Sequence, residues 1–354
     1  MELTKHKILF LEGDMSRRGG TERMTSWLSA MFVREHTVHI ISLHQNHGEV
    51  FFPIADGVTH SVLSSQKTLA QIREIRKYIR AHAIDAVINV DTGMGYIGIL
   101  ASRGTRAKVI TWEHANFFNN WNSRIFPYLR RFAAKKSDAM VVLTSRDKQN
   151  YEKNIKKCAP LSVIPNPSKS REYSYDVGSK TILSAGILGR IKRFELIVPI
   201  GKAVFAKHPD WKWVICGDGP ERENLENAVK EADLRENIIF RGSVSNMDPE
   251  YASAAIYVLT SEMEGLPMVL LEAKSQGLPI VSFDIETGPS DIVRDGVNGY
   301  LVESGDTDAM AEKICNLIDS PTLRASFSEN AGLDMEKFDE ENIVKQWETL
   351  IRGL

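Results

Sequence analysis

Short, nearly continuous apolar runs alternate along the chain with longer segments of helical period. In the first half the runs are KILFLE, TVHIISL, DAVINV, AKVITW, DAMVVLT and LSVIPN. Amphipathic patterns such as TLAQIREIRKYIRAH and NSRIFPYLRRFAAKKS lie between them. The second half repeats the scheme with TILSAGI, WKWVICGDG, NIIFRGS, AIYVLTS, PIVSFDI and GYLVES. Strands that are apolar at nearly every position are buried on both faces, as in a parallel sheet covered by helices. The alternation therefore predicts two doubly wound α/β domains in tandem. Ligands of such sheets bind beyond the carboxyl ends of the strands, so a site in the cleft between the domains is expected.

The 354 residues agree with two domains of about 100–200 residues each. Ile164–Ser179, rich in Pro, Ser and Gly and without periodicity, is the linker candidate. The expected division is 1–170, then 171–337, with a terminal amphipathic helix over 338–354 that completes the first domain. Residues 1–170 carry 25 Lys and Arg against 14 Asp and Glu, a net charge of +11; residues 171–354 carry 19 against 32, a net of −13. A basic half next to an acidic half has two readings. The halves attract each other, or the basic half meets an anionic partner such as a membrane surface or an anionic acceptor. The basic helix with Arg124, Arg130, Arg131, Lys135 and Lys136 makes an anionic membrane surface a candidate partner. Nucleic acid fits poorly, because aromatics do not interleave with a basic stripe elsewhere. Three isolated cysteines, Cys158, Cys216 and Cys315, argue against a disulfide framework and a zinc site. No run reaches the roughly 18 apolar residues of a spanning helix, and the N-terminus lacks a signal-peptide core. A cytoplasmic protein, at most peripheral to a membrane, is the expectation.

The chemistry concentrates in SEMEGLPMVLLEAKSQGLPIV, Ser261–Val281. AIYVLTS reads as a buried strand and SEMEG as the loop at its carboxyl end. Pro267 suits the first position of a helix, and Gly277 ends that helix. The amides of Met268 and Val269 are then free at a helix N-terminus, which attracts anions. Glu264 stands beside that point and Glu272 a turn and a half further in, on an otherwise apolar helix. A ribose would supply Glu272 with hydroxyl partners; the alternative is an ion pair in a structural network.

Together with TGPSDIVRDGVNGYLV, this stretch resembles the nucleotide-sugar-binding domain of retaining glycosyltransferase family 4, of the GT-B architecture. The resemblance covers most of 181–318 well and the first half more loosely. It rests on the two glutamates eight positions apart around Gly-Leu-Pro, supported by the turn Asp295–Gly299. It implies a GT-B fold of two Rossmann-like domains facing a central cleft, with the C-terminal helix returning to the first. It further implies that Glu272 holds the donor ribose, that Glu264 meets the transferred sugar, and that the amides from Gly265 through Leu266, Met268 and Val269 meet the phosphates.

The family also carries a basic pair after the first strand of this domain, in the place of SAGILGRIKRFEL. With Lys192 at the lysine position, Ile187 stands where an arginine is expected. Arg190 or Arg193 is then the substitute, since a leaving diphosphate needs positive charge. In the first half, the resemblance places Gly19 and Gly20 opposite the donor, His114 in TWEHAN at the sugar, and Asn166 in a linker motif. Arg241, in FRGSV, lies in the segment that cradles the base. The activity the resemblance implies is transfer of a hexose or N-acetylhexosamine from a nucleotide sugar, a UDP-sugar by preference, to a glycan or lipid-linked acceptor with retention. Glu264, His114, Lys192 and Arg190 are the candidate catalytic groups. No cofactor and no metal are expected. The Asp-x-Asp of GDTDAM reads as a helix N-cap, and GDGPER lacks the third glycine of a dinucleotide fingerprint. A nucleotide-sugar epimerase of the same architecture and a non-catalytic sugar-nucleotide-binding subunit stand as alternatives.

Overall fold

The computed structural model describes residues 5–168 and 174–354; the expected boundary at 170/171 lies outside them. The chain divides into two units, one of Met1–Asn166 with Glu340–Leu354, the other of Pro167–Asp339. All the apolar runs named above form strands, and every strand pairing is parallel.

The first unit runs β1 (Lys7–Glu12), α1 (Gly20–Phe32), β2 (Thr37–Ser42), β3 (Thr59–Val62), α2 (Thr68–His82), β4 (Ala86–Val90) and α3 (Thr92–Ser102). It continues with β5 (Lys108–Trp112), α4 (Phe126–Lys136), β6 (Ala139–Val142), α5 (Ser145–Asn154) and β7 (Leu161–Val163). Its seven strands lie in the order β3-β2-β1-β4-β5-β6-β7. Strand β3, Thr-His-Ser-Val, is the one the hydrophobic pattern does not announce. It is an edge strand without a fully buried residue, so it has no need of an apolar run.

The second unit runs β8 (Thr181–Ala185), α6 (Ile197–Lys207), β9 (Lys212–Cys216), α7 (Arg222–Glu231), β10 (Ile238–Gly242), α8 (Asp248–Ser253) and β11 (Ile256–Leu259). It continues with α9 (Met268–Ser275), β12 (Ile280–Asp284), α10 (Pro289–Ile292), β13 (Gly299–Glu303), α11 (Thr307–Asp319) and α12 (Pro321–Glu329). Its six strands are ordered β10-β9-β8-β11-β12-β13. One contiguous apolar cluster, including Trp213, Phe205, Ile256, Phe283 and Phe327, fills this unit.

In both sheets the order reverses beside the first strand, between β1 and β4 and between β8 and β11. At such a switch point the following loops diverge to opposite faces and leave a crevice.

The final helix, α13 (Glu340–Arg352), belongs to the first unit. Its Ile343, Trp347 and Ile351 are buried. The Trp347 ring lies edge-on to Trp112 at 5.0 Å and to Phe32 at 6.5 Å. Trp27 Nε1 donates to Glu340 Oε1 at 3.0 Å, and His36 Nε2 lies 2.7 Å from Glu348 Oε1. Each buried apolar side chain of this kind contributes about 1.5–3 kcal/mol, so the return of α13 is a packing requirement of the unit. Among the described residues no helix is long and apolar enough to cross a membrane.

Candidate active site

The loops after β8 and β11 are tied together at the switch point of the second unit. Glu262 N donates to Ile191 O at 2.9 Å, and Thr260 Oγ1 donates to Lys192 O at 2.9 Å. These bonds carry Lys192 Nζ to 2.6 Å from Glu264 Oε1. Both groups are partly buried, the lysine side chain 28% and the glutamate 11% exposed. On the other side, Thr287 Oγ1 donates to Glu264 O at 2.5 Å. The loop that carries Thr287 passes so close that a Cβ on Gly288, whose φ is +102°, would lie 2.5 Å from Pro267 Cδ. Only glycine fits there.

Helix α9 begins at Met268, and Pro267 occupies the N-cap rather than the first helical position. The difference follows from its ψ of 101°, which is extended. The carbonyl of Pro267 already accepts from the amides of Leu270 and Leu271. The amides of Gly265, Leu266, Met268 and Val269 have no acceptor among the described residues. Unpaired amides and the positive end of the helix dipole face the same place, which suits a phosphate. Glu272 is half-buried one and a half turns into α9. Tyr251, itself buried on α8, donates its hydroxyl to Glu272 Oε2 at 2.8 Å. Arg241, exposed at the end of β10, lies 4.0 Å from Glu250 on the same helix.

The three cations of GRIKR do not act as a group. Residues 190–192 form a 3₁₀ turn, and Arg193 then turns left-handed at φ +50°. The side chains splay as a result. Arg190, 92% exposed, reaches Glu221 at 3.3 Å, and Arg193 reaches Glu195 at 3.5 Å. Lys192 is the one of the three that joins Glu264. Ile187, in the place of the family arginine, is exposed.

In the first unit, Gly19 is the N-cap of α1 and Gly20 its first residue. A Cβ on Gly19 would meet Glu22 Oε2 at 2.2 Å. Glu22 is fully buried, neither oxygen accepts a hydrogen bond, and Arg17 Nε lies 3.5 Å away. Burial, and then the neighbouring Glu22, push Glu12 at the end of β1 up to about 8. His114 follows β5, its ring 4.2 Å from that of Trp112. Burial holds the imidazole down at about 3, so it is neutral, and its Nε2 has no hydrogen-bond partner. A neutral imidazole can exchange hydrogen bonds with sugar hydroxyls but carries no proton to donate as an acid. Asn166 is buried, with Oδ1 unpaired.

The family models of glycosyl transferases group 1 and of glycosyltransferase family 4 match residues 166–333 and 18–168, one per unit. The chain belongs to the GT-B glycosyltransferases of family 4 type. Over 357 residues the glycosyltransferase is 28% identical to the amylovoran biosynthesis glycosyltransferase AmsD of Erwinia amylovora, covering 98% of this chain and 99% of the relative. It is also 28% identical, over 98% of each chain, to an α-1,4-N-acetyl-D-galactosaminyltransferase of Campylobacter jejuni whose acceptor is an undecaprenol diphosphate-linked saccharide. The Anabaena protein Alr3699/HepE, solved in complex with UDP, shares the fold with a TM-score of 0.82 at 16% identity, over 98% of this chain and all of that one.

Two other motifs of the glycosyltransferase prove structural. Asp306 caps α11 by accepting from Ala309 N at 2.9 Å, and no cluster of metal-ligating side chains occurs among the described residues. In GDGPER, Gly217 and Gly219 let the β8 and β9 loops touch. A Cβ on Gly217 would lie 1.8 Å from Gly186 O, and one on Gly219 2.5 Å from Leu188 O.

A buried polar network that the hydrophobic pattern does not announce lies beyond β4, β5 and β6. Glu113 accepts from Thr92 Oγ1 at 2.7 Å, Tyr151 OH at 2.5 Å and Ala115 N at 3.0 Å, with Arg130 Nε 3.9 Å away. Asp147 holds Phe117 N at 2.7 Å, and Arg130 donates to Asn119 O and Asn120 Oδ1. Asp91, at φ +78°, caps α3 through Gly93 N. Burial, and then Glu113, push both Asp91 and Asp147 up to about 7. The only hint in the sequence was a polar residue directly after each apolar run.

Proposed function

We propose that the glycosyltransferase moves a hexose or N-acetylhexosamine from a UDP-sugar, with retention, to a lipid-linked or growing polysaccharide acceptor in surface-glycan synthesis. The observation that carries the reading is the arrangement from Lys192 to Glu272. Two carboxylates bracket four unpaired amides, and one of them is held by a lysine. In this reading the amides and the α9 dipole take the diphosphate, Glu272 takes the ribose, and Glu264 positions the sugar. Lys192 compensates the charge that develops as the sugar–phosphate bond breaks. On this reading, as the resemblance implies, the transfer is a same-face displacement in which the leaving phosphate oxygen accepts the proton of the attacking hydroxyl. Pre-organised donors accomplish this without a metal. The AmsD and Campylobacter relatives support the acceptor class, and the UDP bound to the Anabaena protein supports the nucleotide.

A lipid-linked acceptor lies at a bilayer, and the first unit has a surface suited to one. Phe118, Trp121, Ile125 and Tyr128 are exposed, the last by 74%. No acidic residue occurs from His114 to Ser137, whereas Arg124, Arg131, Lys135 and Lys136 are exposed among these aromatics. Exposed aromatics among cations suit an anionic membrane interface.

The test is a thermal-shift screen of nucleoside diphosphates and nucleotide sugars, followed by turnover with undecaprenyl-linked saccharides and NMR of the product anomer. A ligand at 100 times its Kd adds about 2.7 kcal/mol. Stabilisation by UDP and an α-linked product from an α-donor are expected. Stabilisation by no nucleotide would overturn the reading, and an inverted product would overturn its stereochemistry.

A further inference from the structure

We propose that the N-terminal end of α1, with the buried carboxylate of Glu22 beneath it, is a subsite for a hydroxyl group of a neutral saccharide. It follows β1, beside which the strand order of the first unit reverses, and ligands of doubly wound sheets bind at such a point.

Two buried glutamates meet at this edge, and the fold accounts for only one of them. Glu12, at the end of β1, accepts from Gly13 N with Oε1 and from Thr25 Oγ1 with Oε2, both at 2.9 Å. Glu22 is fully buried, and neither of its oxygens accepts a hydrogen bond among the described residues. Arg17 Nε stands 3.5 Å from Oε1, so it offsets charge without filling the lone pairs. A buried polar group in this state is costly and calls for an explanation. The carboxylate lies directly under the start of the helix, since a Cβ on Gly19 would collide with Oε2.

The same helix end offers donors. The amides of Gly20, Thr21 and Glu22 have no acceptor among the described residues, and Arg23 N is the first in the helix to find one, at Gly19 O. Gly20 and Arg17 are exposed, so a swing of the Arg17 side chain gives a ligand access. The backbone that carries Arg17 is fixed. Asp14 accepts from Ser16 N at 2.9 Å and Asn46 N at 2.8 Å, and Arg17 N donates to Asp14 O at 3.2 Å.

This pairing of free amides with an unfilled carboxylate selects the ligand group. A phosphate would fill the amides and meet a buried carboxylate. An ammonium would fill the carboxylate but leave the amides empty, and it would sit at the positive end of the helix dipole. A hydroxyl donates one hydrogen bond and accepts two, so a single hydroxyl satisfies Glu22 and the amides together. The choice of a saccharide as its carrier rests on the transfer reading above. That reading offers two sources, the acceptor saccharide and the transferred sugar of the donor.

The test uses the full chain and needs no turnover. Methyl glycosides of glucose, galactose, N-acetylglucosamine and N-acetylgalactosamine are titrated by saturation-transfer NMR, with and without UDP. UDP and the UDP forms of the same four sugars are titrated by calorimetry. The variants are Glu22→Gln, which keeps the shape of the side chain, and Glu22→Met. Both should keep the wild-type thermal midpoint or raise it, since the carboxylate they replace has no hydrogen bond to lose. The expected result is that one of these saccharide ligands binds the wild type, the glutamine variant several-fold more weakly, and the methionine variant at least tenfold more weakly. Weakened glycoside binding with unchanged nucleotide affinities identifies the acceptor. Weakened binding of a UDP-sugar, with UDP itself unchanged, identifies the transferred sugar. Equal affinities in wild type and variants overturn the proposal, whatever the midpoint does, and so does binding of no glycoside and no UDP-sugar. Competition of pyrophosphate with the glycoside in UDP-loaded protein would make the α1 end a phosphate site and also overturns it. If no nucleotide binds, the transfer reading fails on its own, and the glycoside titration without UDP still decides the role of Glu22.

Discussion

Lys192 offers the sharpest test of the site. Lys192→Met keeps the length and apolar stem of the side chain and removes only the charge. The ammonium stands 2.6 Å from Glu264, with side chains 28% and 11% exposed. Two unit charges 4 Å apart near a protein surface attract by about 4 kcal/mol. Desolvation and side-chain ordering offset most of that, and partly exposed pairs net about 1 kcal/mol or less. For a unit of this size the thermal midpoint should fall by about 2–4 °C at most. A charge that meets the departing diphosphate has a far larger effect, since removing one pre-organised donor costs about 2.7–4 kcal/mol of activation, or 10²–10³ in kcat. Stability and rate therefore separate the structural role from the catalytic one. The assay is UDP release from UDP-sugar, by hydrolysis if no acceptor is in hand, for wild type, Lys192→Met, Glu264→Gln and the double variant. The double variant should be at least tenfold slower than Glu264→Gln alone. If Lys192→Met stays within threefold of wild type, or the double variant matches Glu264→Gln, the lysine acts only by neutralising the glutamate and the reasoning fails.

Three further outcomes follow from buried groups. Glu12 is pushed up to about 8 from an ordinary 4.5, so the folded state holds a proton that the unfolded state releases. The first unit should therefore lose stability as pH rises from about 5 to 8, by up to about 1.4 kcal/mol per pH unit; Glu12→Gln should flatten hydrogen-exchange protection of β1 over that range, and an unchanged slope would refute the assignment. Lys274 is buried on α9, donates to Ile292 O at 2.8 Å, and is held down at about 8 by burial. It releases its proton more readily when folded, so the second unit should gain stability from about pH 8 to 10.5, and Lys274→Met should abolish that gain in urea melts followed through α9. Tyr251→Phe deletes the hydroxyl on Glu272. Hydrogen bonds to charged groups contribute about 1.5–3 kcal/mol, so UDP affinity should weaken about tenfold or more, and less for 2′-deoxy-UDP; equal losses for both nucleotides would detach Glu272 from the ribose.

The architecture was legible because both faces of a parallel strand are covered, which writes each strand as an apolar run. The same rule hid β3, which lies at an edge and needs no such run. The free amides at the start of α9 were legible because a loop glycine and a proline precede an apolar helix there, although Pro267 proved to be the cap. What adjacency in sequence could not show was direction. Arg190, Lys192 and Arg193 lie within four positions, yet a 3₁₀ turn followed by a left-handed residue sends each to a different partner. Contacts made by the fold were equally invisible. Tyr251 reaches Glu272 from another helix, and the carboxylates Glu113 and Asp147 meet only because β5 and β6 end side by side.

The return of α13 to the first unit also bears on how the chain is made. Residues up to Asn166 leave the ribosome with the surface around Phe32 and Trp112 still uncovered. The helix that covers it starts only at Glu340, after all of the second unit. At about 5–20 residues per second, that surface waits on the order of ten to thirty seconds. The second unit, whose whole sequence is consecutive, can fold in the meantime. The domain synthesised first is therefore the one completed last, and during that interval it exposes an apolar face on which a chaperone or a wrong partner can settle.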